Sequence, residues 1–320
     1  MNWVAWKKRL GIGGRTHTGK FVTPDFAVEL QPGFVLAARL QPSKRQMYSF
    51  GMRELPAGVL EPSANKPNVT DGATLRRVVT EATQTTGHVG GKLGLLIPDV
   101  AARVALLQFE SLPENRSDAE SIVLWRMREF LPYPPEEARV TFQVLRKQSE
   151  VVEVLGVAVR SSVLADYESA MEGLNGGAAT VLPASLALLP LLPEEAGGQL
   201  LLHLSPGALT TAVVAANDLR YWRTRPLEGA SAANSNELAR EAARVLATCQ
   251  DNLRVQIANV WFCARPRIAS EVAQALAQAL GRDLRPLPHD MGVAGLPEAQ
   301  RAKFGHYGIP FAGLLANAGS

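Results

Sequence analysis

Apolar residues fall in short blocks separated by turn-forming residues along most of the chain. Residues 28–40, VELQPGFVLAARL, read as two strands meeting at the Pro32-Gly33 turn, and strand character continues over 46–50. A loop rich in proline and asparagine occupies 56–71. From about 73 to 86, Leu75, Val78, Val79 and Ala82 recur at helical spacing and predict a helix with one apolar side. The apolar runs 92–97 and 103–109 predict strands. The opening third therefore reads as a mixed α/β unit.

Residues 112–145 are the most informative stretch. Ser117 followed by Glu120 predicts a capping box, in which each side chain takes one free amide of the first turn. The helix is expected to run to about Leu131 and to stop at Pro132-Tyr133-Pro134-Pro135, where proline removes a donor and restrains the residue before it. Ala119, Val123, Met127 and Phe130 share one face, with Ile122 and Leu131 at its margins, and Trp125 points the opposite way. Val140, Phe142 and Val144 then alternate with polar residues as in a half-buried strand. A β-branched strand at 151–159 and a helix at 162–172 follow, then a strand-then-helix segment at 179–192 and a linker at 193–198.

The second half repeats the first weakly. Strands are predicted at 200–204, 210–214 and 219–224, and a Ser/Asn-rich loop after Gly229 precedes a helix at 236–253. A further strand at 259–263 is followed by an alanine-rich helix at 269–280 that stops at Gly281.

At 320 residues there is room for two domains. The net charge of +3, from 33 basic and 30 acidic residues spread along the chain, gives no footprint for nucleic acid. Cys249 and Cys263 belong to no CxxC motif and read as half-buried thiols of a reducing compartment. No apolar run reaches the roughly 18–20 residues of a spanning helix. The N-terminal stretch places Trp3 and Trp6 beside Lys7, Lys8 and Arg9, a composition suited to an anionic membrane surface; a free or docked tail is the plain alternative. Residues 14–20, GRTHTGK, match part of a phosphate-binding loop, but a basic tail precedes them and Phe21 stands where a magnesium-binding Ser or Thr belongs, so the match is rejected.

The order Leu112-Pro113, acidic helix, Leu131-Pro132-Tyr133-Pro134 and strand 140–145 resembles PilM, the cytoplasmic actin-like protein of type IV pilus assembly. One departure is Arg126, where that family usually carries a glutamate. The resemblance implies an α/β, actin-like (ribonuclease-H-like) two-domain fold with an insertion subdomain of the kind shared with FtsA. Its divisions would be a basic tail at 1–25, a first domain at 26–196 with the insertion at about 110–175, a second domain at 197–303, and a closing segment at 304–320 returning to the first domain. It also implies a partner, the N-terminal tail of a PilN-like inner-membrane protein, with Trp125, Arg126 and Tyr133 as expected contacts. Self-association and peripheral contact with the inner membrane are further expectations.

Actin-like ATPases hold nucleotide with two strand-Asp-x-Gly turns and a Gly-Gly pair at a helix start. The resemblance aligns the first aspartate and glycine with Glu29 and Gln31, followed by Pro32, and the second pair with His203 and Ser205, followed by Pro206. The third loop reads Ala264-Arg265-Pro266. Side chains and prolines in place of glycines block the approach of phosphate and remove amide donors. The expectation is a scaffold that has lost ATP and magnesium, with the cleft between the halves narrowed or filled by side chains. Arg265 is expected in an exposed turn. Two alternatives stay open: an ATPase with unconventional loops using Glu29 and Arg265, and a component of type II secretion like the cytoplasmic domain of GspL.

Overall fold

The first hairpin forms as the pattern predicts, because Pro32 supplies the restrained φ of a two-residue turn and Gly33 accepts φ +88, where a side chain would be strained. Strand β1 (Phe26–Gln31) pairs antiparallel with β2 (Phe34–Gln41), and β2 with β3 (Gln46–Glu54). These coordinates are a computed structural model. It describes residues 24–87, 92–148, 150–174, 178–227, 235–266, 270–290 and 292–316. The N-terminal residues Trp3, Trp6, Lys7, Lys8 and Arg9, and the rejected phosphate-loop match, lie outside these.

Helix α1 (Gly72–Gln84) is capped by Asp71, whose carboxylate accepts from the Thr74 amide at 3.0 Å. It buries Leu75, Val78, Val79 and Ala82. Strand β4 (Leu93–Ile97) then pairs parallel with β1. The next strand departs from expectation. β5 (Ala102–Phe109) leaves the first sheet and pairs antiparallel with β7 (Val151–Arg160), which also pairs with β6 (Ala138–Gln148). The inserted sheet, in the order β5-β7-β6, thus begins at Ala102, ahead of the expected boundary near 110.

Helix α2 (Arg116–Met127) packs on this sheet through Ala119, Val123 and Met127. Its cap is Asn115 and not Ser117: the Asn115 side chain accepts from the Ser117 amide at 2.9 Å and the Asp118 amide at 3.3 Å. Glu120 is drawn to Arg116 at 2.8 Å, so no capping box forms. The helix tightens to a 3₁₀ turn over Arg128–Phe130, and Leu131 is extended, as a residue before proline should be. Phe130, expected on the apolar face, is exposed.

Helix α3 (Ser161–Ser169), expected in the insertion, buries Val163 and Tyr167 in the core of the first lobe. Strand β8 (Ala178–Pro183) completes the first sheet in the order β3-β2-β1-β4-β8. The short helix α4 (Ala184–Leu188) follows directly.

The second lobe repeats the plan. β9 (Gly198–Ser205), β10 (Ala208–Ala215) and β11 (Asp218–Pro226) form an antiparallel meander. After helix α5 (Ser235–Asp251), β12 (Ile257–Ala264) pairs parallel with β9; after helix α6 (Ser270–Leu280), β13 (Leu284–Pro286) pairs parallel with β12. The order β11-β10-β9-β12-β13 matches the first sheet strand for strand. Even the turn recurs: Pro206-Gly207, with Gly207 at φ +74, joins β9 to β10.

Helices α7 (Glu298–Tyr307) and α8 (Ile309–Ala316) return to the first lobe. α8 is buried throughout and approaches α4 so closely that a Cβ on Gly313 would overlap the Ala187 carbonyl.

Candidate functional site

Parallel strands place the residues at their ends side by side, and here both lobes present those ends to one another. Glu29 stands on β1, and Arg265 follows β12 immediately, its amide bonded to the Leu204 carbonyl at 2.8 Å. The Arg265 side chain reaches across the seam, where Nη1 lies 2.7 and 2.8 Å from the two oxygens of Glu29. It also donates to the Tyr307 carbonyl at 3.1 Å, tying in the closing helix. Both side chains are fully buried. The expectation that Arg265 sits in an exposed turn is therefore wrong: the guanidinium fills the space between the lobes. Its neighbour Arg267 lies outside the described residues.

A second set continues from the same arginine. Arg265 Nε donates to His203 Nε2 at 2.9 Å, which assigns the imidazole proton to Nδ1. Nδ1 faces the Ser185 hydroxyl at 2.5 Å, and that hydroxyl donates to Asp99 at 2.5 Å. Asp99 also accepts from the Ser185 amide at 2.9 Å and from Thr210 at 3.1 Å. The donors thus run in one direction: guanidinium, imidazole, hydroxyl, carboxylate. Ser185 and Asp99 belong to the first lobe, and His203, Thr210 and Arg265 to the second.

Burial sets the charge states. Burial and the positive charge of Arg265 push His203 down to about 4, so the ring is neutral near pH 7. Burial alone would raise Asp99, but its contacts with His203 and Ser185 outweigh that and hold its carboxyl below the ordinary value. Glu29 is raised by burial, against the pull of Arg265 and Gln31. Gln31 donates to Glu29 at 2.9 Å, and its Oε1 and the Arg265 Nη2 find no partner among the described residues. Cys263, buried beside these charges, has its thiol pushed up to about 12 by burial.

Of the aligned loop positions, Glu29, Gln31, His203 and Arg265 meet at this seam, whereas Ser205 is simply buried and Ala264 packs against the core of the second lobe. Asp99 and Ser185 were missed. A signal existed for both: each closely follows a strand-ending proline, Ile97-Pro98-Asp99 and Leu182-Pro183-Ala184-Ser185. The register Ile97↔Pro183 sets the two strand ends side by side.

The expected partner residues do not share one surface. Trp125 is 58% exposed, with the Arg128 guanidinium 4.1 Å above its ring. Arg126 is exposed and pairs with Glu129 at 3.4 Å. Tyr133, by contrast, is buried, so it is no surface contact. Its hydroxyl has no partner among the described residues, and burial pushes it up to about 12.

Two lobes with the same mixed sheet, a sheet inserted after β4 and a closing helix returned to the first lobe define the actin-like ATPase fold. A solved chain of the PilM–PilN type IV pilus biogenesis complex is similar at a TM-score of 0.76 and 16% identity, covering 92% of this chain and 98% of that one. A Bacteroides thetaiotaomicron protein of actin-like ATPase fold and unknown function is similar at 0.57 and 9% identity, covering 92% and 95%. No family model and no curated protein sequence matches the chain. Among the described residues no helix is long and apolar enough to cross a membrane.

Proposed function

We propose that this chain is a non-catalytic scaffold of a type IV pilus assembly machine, peripheral to the cytoplasmic face of the inner membrane, that binds the N-terminal tail of a PilN-like protein. The single observation carrying the non-catalytic part is the buried Arg265–Glu29 pair, at 2.7 Å between the lobes. The residues of this seam do not fit a magnesium-bound nucleotide. Both Glu29 oxygens accept from Arg265, Asp99 is engaged by Ser185 and Thr210, and Gln31 adds a side chain beside them. Pro32, Pro206 and Pro266 offer no amide to a phosphate. The assignment to pilus assembly is supported by the likeness to the PilM–PilN chain over nearly the whole of both molecules.

Calorimetric titration of ATP and magnesium into the pure protein is expected to give no saturable heat. Micromolar binding that disappears in Glu29→Ala would overturn the scaffold reading and restore an ATPase. For the partner, the measurable step is capture of the N-terminal segment of the PilN-like protein from the same organism. Trp125→Ala and Arg126→Glu are expected to weaken it with the fold intact, because both side chains are exposed. Unchanged affinity in both variants would remove the α2 surface from the interface.

A further inference from the structure

The first sheet presents its two ends to different surroundings. The C-terminal ends of β1 and β4 lead to the seam through Glu29 and Asp99. At the opposite end β1 begins at Phe26 beside Leu93 of β4, and β2 turns into β3. Neighbouring strands lie about 4.8 Å apart, so these four strand ends fit within about 15 Å. Main-chain bonds tie the corner together: the Asp25 amide donates to the Lys92 carbonyl at 2.9 Å, and the Leu40 amide to the Asp25 carbonyl at 2.8 Å.

Basic side chains collect at this end. Residues 24–26, 39–48 and 92–93 include Arg39, Lys44, Arg45 and Lys92, all exposed, against one acid, Asp25. The Asp25 carboxylate accepts from the Lys92 amide at 3.1 Å. Arg39, Lys44 and Lys92 form no ion pair among the described residues. The segment lying on β3 adds Asp290, two residues before Gly292, whose carbonyl accepts the Met47 amide. Tyr48 is 47% exposed, its hydroxyl donating to Gln41 and the Arg39 guanidinium 5.6 Å from its ring centre. An exposed aromatic ring with a polar tip, set among cations, suits the headgroup level of a bilayer. The chain also enters the fold here. Residues 1–23, which lead directly into Pro24, carry five Lys and Arg, two tryptophans and no acid. The stretch whose composition suits an anionic membrane is therefore joined to the chain beside these basic strand ends, and not at the seam or on the second lobe.

We propose that the end of the first lobe remote from the seam, with Arg39, Lys44, Arg45, Lys92 and Tyr48, rests on an anionic phospholipid surface together with the N-terminal stretch. Each base near such a surface contributes about 1 kcal/mol of attraction, and the cluster and the stretch act on the same patch of membrane. The inference deepens the peripheral placement proposed above, on which it rests, by naming the face turned to the membrane. Capture of the PilN-like tail by α2 is measured without lipid, so the two readings fail separately.

The test is sedimentation of the full chain with vesicles of phosphatidylcholine alone and of phosphatidylcholine mixed with phosphatidylglycerol. Binding is expected to the mixed vesicles only, and to weaken as salt rises. Arg39→Gln, Lys44→Gln and Lys92→Gln should each lower partitioning about fivefold, and all three together on the order of a hundredfold. A control with Lys147, Arg240 and Arg254 all changed to glutamine loses the same charge from exposed sites on other elements, and should bind like the native chain. Amide exchange over residues 41–48 should slow when mixed vesicles are present. Equal binding to both kinds of vesicle, or an equal loss in the control, overturns the proposal. So does undiminished binding by the triple variant, which would leave the N-terminal stretch as the sole contact. Binding of the native chain to a DNA duplex more tightly than to the mixed vesicles would also overturn it, in favour of a nucleic acid.

Discussion

Arg265 and Glu29 are two opposite charges taken wholly out of water, an arrangement whose stability depends on both being present. Removing the arginine leaves the buried Glu29 carboxylate with the Gln31 amide and no counter-charge, and the His203 acceptor without its donor. Arg265→Ala is therefore expected to cost about 3–5 kcal/mol in urea unfolding. The double replacement Arg265→Met with Glu29→Met should recover much of that loss, because no charge is then left unpaired. If the double variant is as damaged as the single one, the pair is not what holds this seam. The pairing was not legible in the sequence. A lone arginine before a proline looks like a turn residue, and its partner is 236 positions away. His203 was found only through the resemblance, which aligned it with the second loop's aspartate.

Elements were read better than their neighbours. Helical spacing located α1, α2 and α5, and apolar runs located most strands, because local periodicity depends only on which side faces the core. The destination of β5 was not legible: an edge strand of one sheet and a member of another have the same pattern until their partners are known. The start of α2 was misread for a different reason. Both Asn115 and Ser117 are good caps, and only backbone geometry decides which one stands outside the first turn. Asn115→Ala is expected to cost about 1 kcal/mol by loss of its two amide contacts, and Ser117→Ala less than about 0.5 kcal/mol. Thermal unfolding of the two variants separates these outcomes, and equal losses would return the cap to Ser117. Phe130 was placed on the buried face by its spacing from Ala119, Val123 and Met127, but it lies past the end of the α-helix and is exposed.

At the scale of the molecule, the duplicated sheets were visible only as a weak repeat, because the two halves share strand order and a Pro-Gly turn and little else. An apolar cluster shared by both lobes joins them, with Leu201, Val214 and Trp261 of the second lobe in the core of the first. A buried polar set lies within the junction, and one of its members titrates. His203 is pushed to about 4 in the folded chain from an ordinary 6.5. As pH falls through 6.5 the unfolded chain binds this proton and the folded chain does not, so stability falls over the window from 6.5 down to about 4. The full effect is about 3 kcal/mol by the usual conversion. Glu29 acts in the opposite sense, since burial raises it and the folded state then takes up its proton first. The comparison that isolates the histidine is therefore urea unfolding of the native chain against His203→Gln at pH 7 and pH 4.5. The native chain should lose more stability than the variant on acidification, and parallel losses would contradict a neutral buried ring.

The Arg265 bridge has one more consequence. A bound small molecule that closes a cleft comes and goes with its concentration, so the angle between the jaws follows the state of the cell. A strut that is part of the chain is present at every concentration and cannot be dialysed away. The two lobes of this protein are accordingly expected to keep one separation at low and at high nucleotide concentration alike.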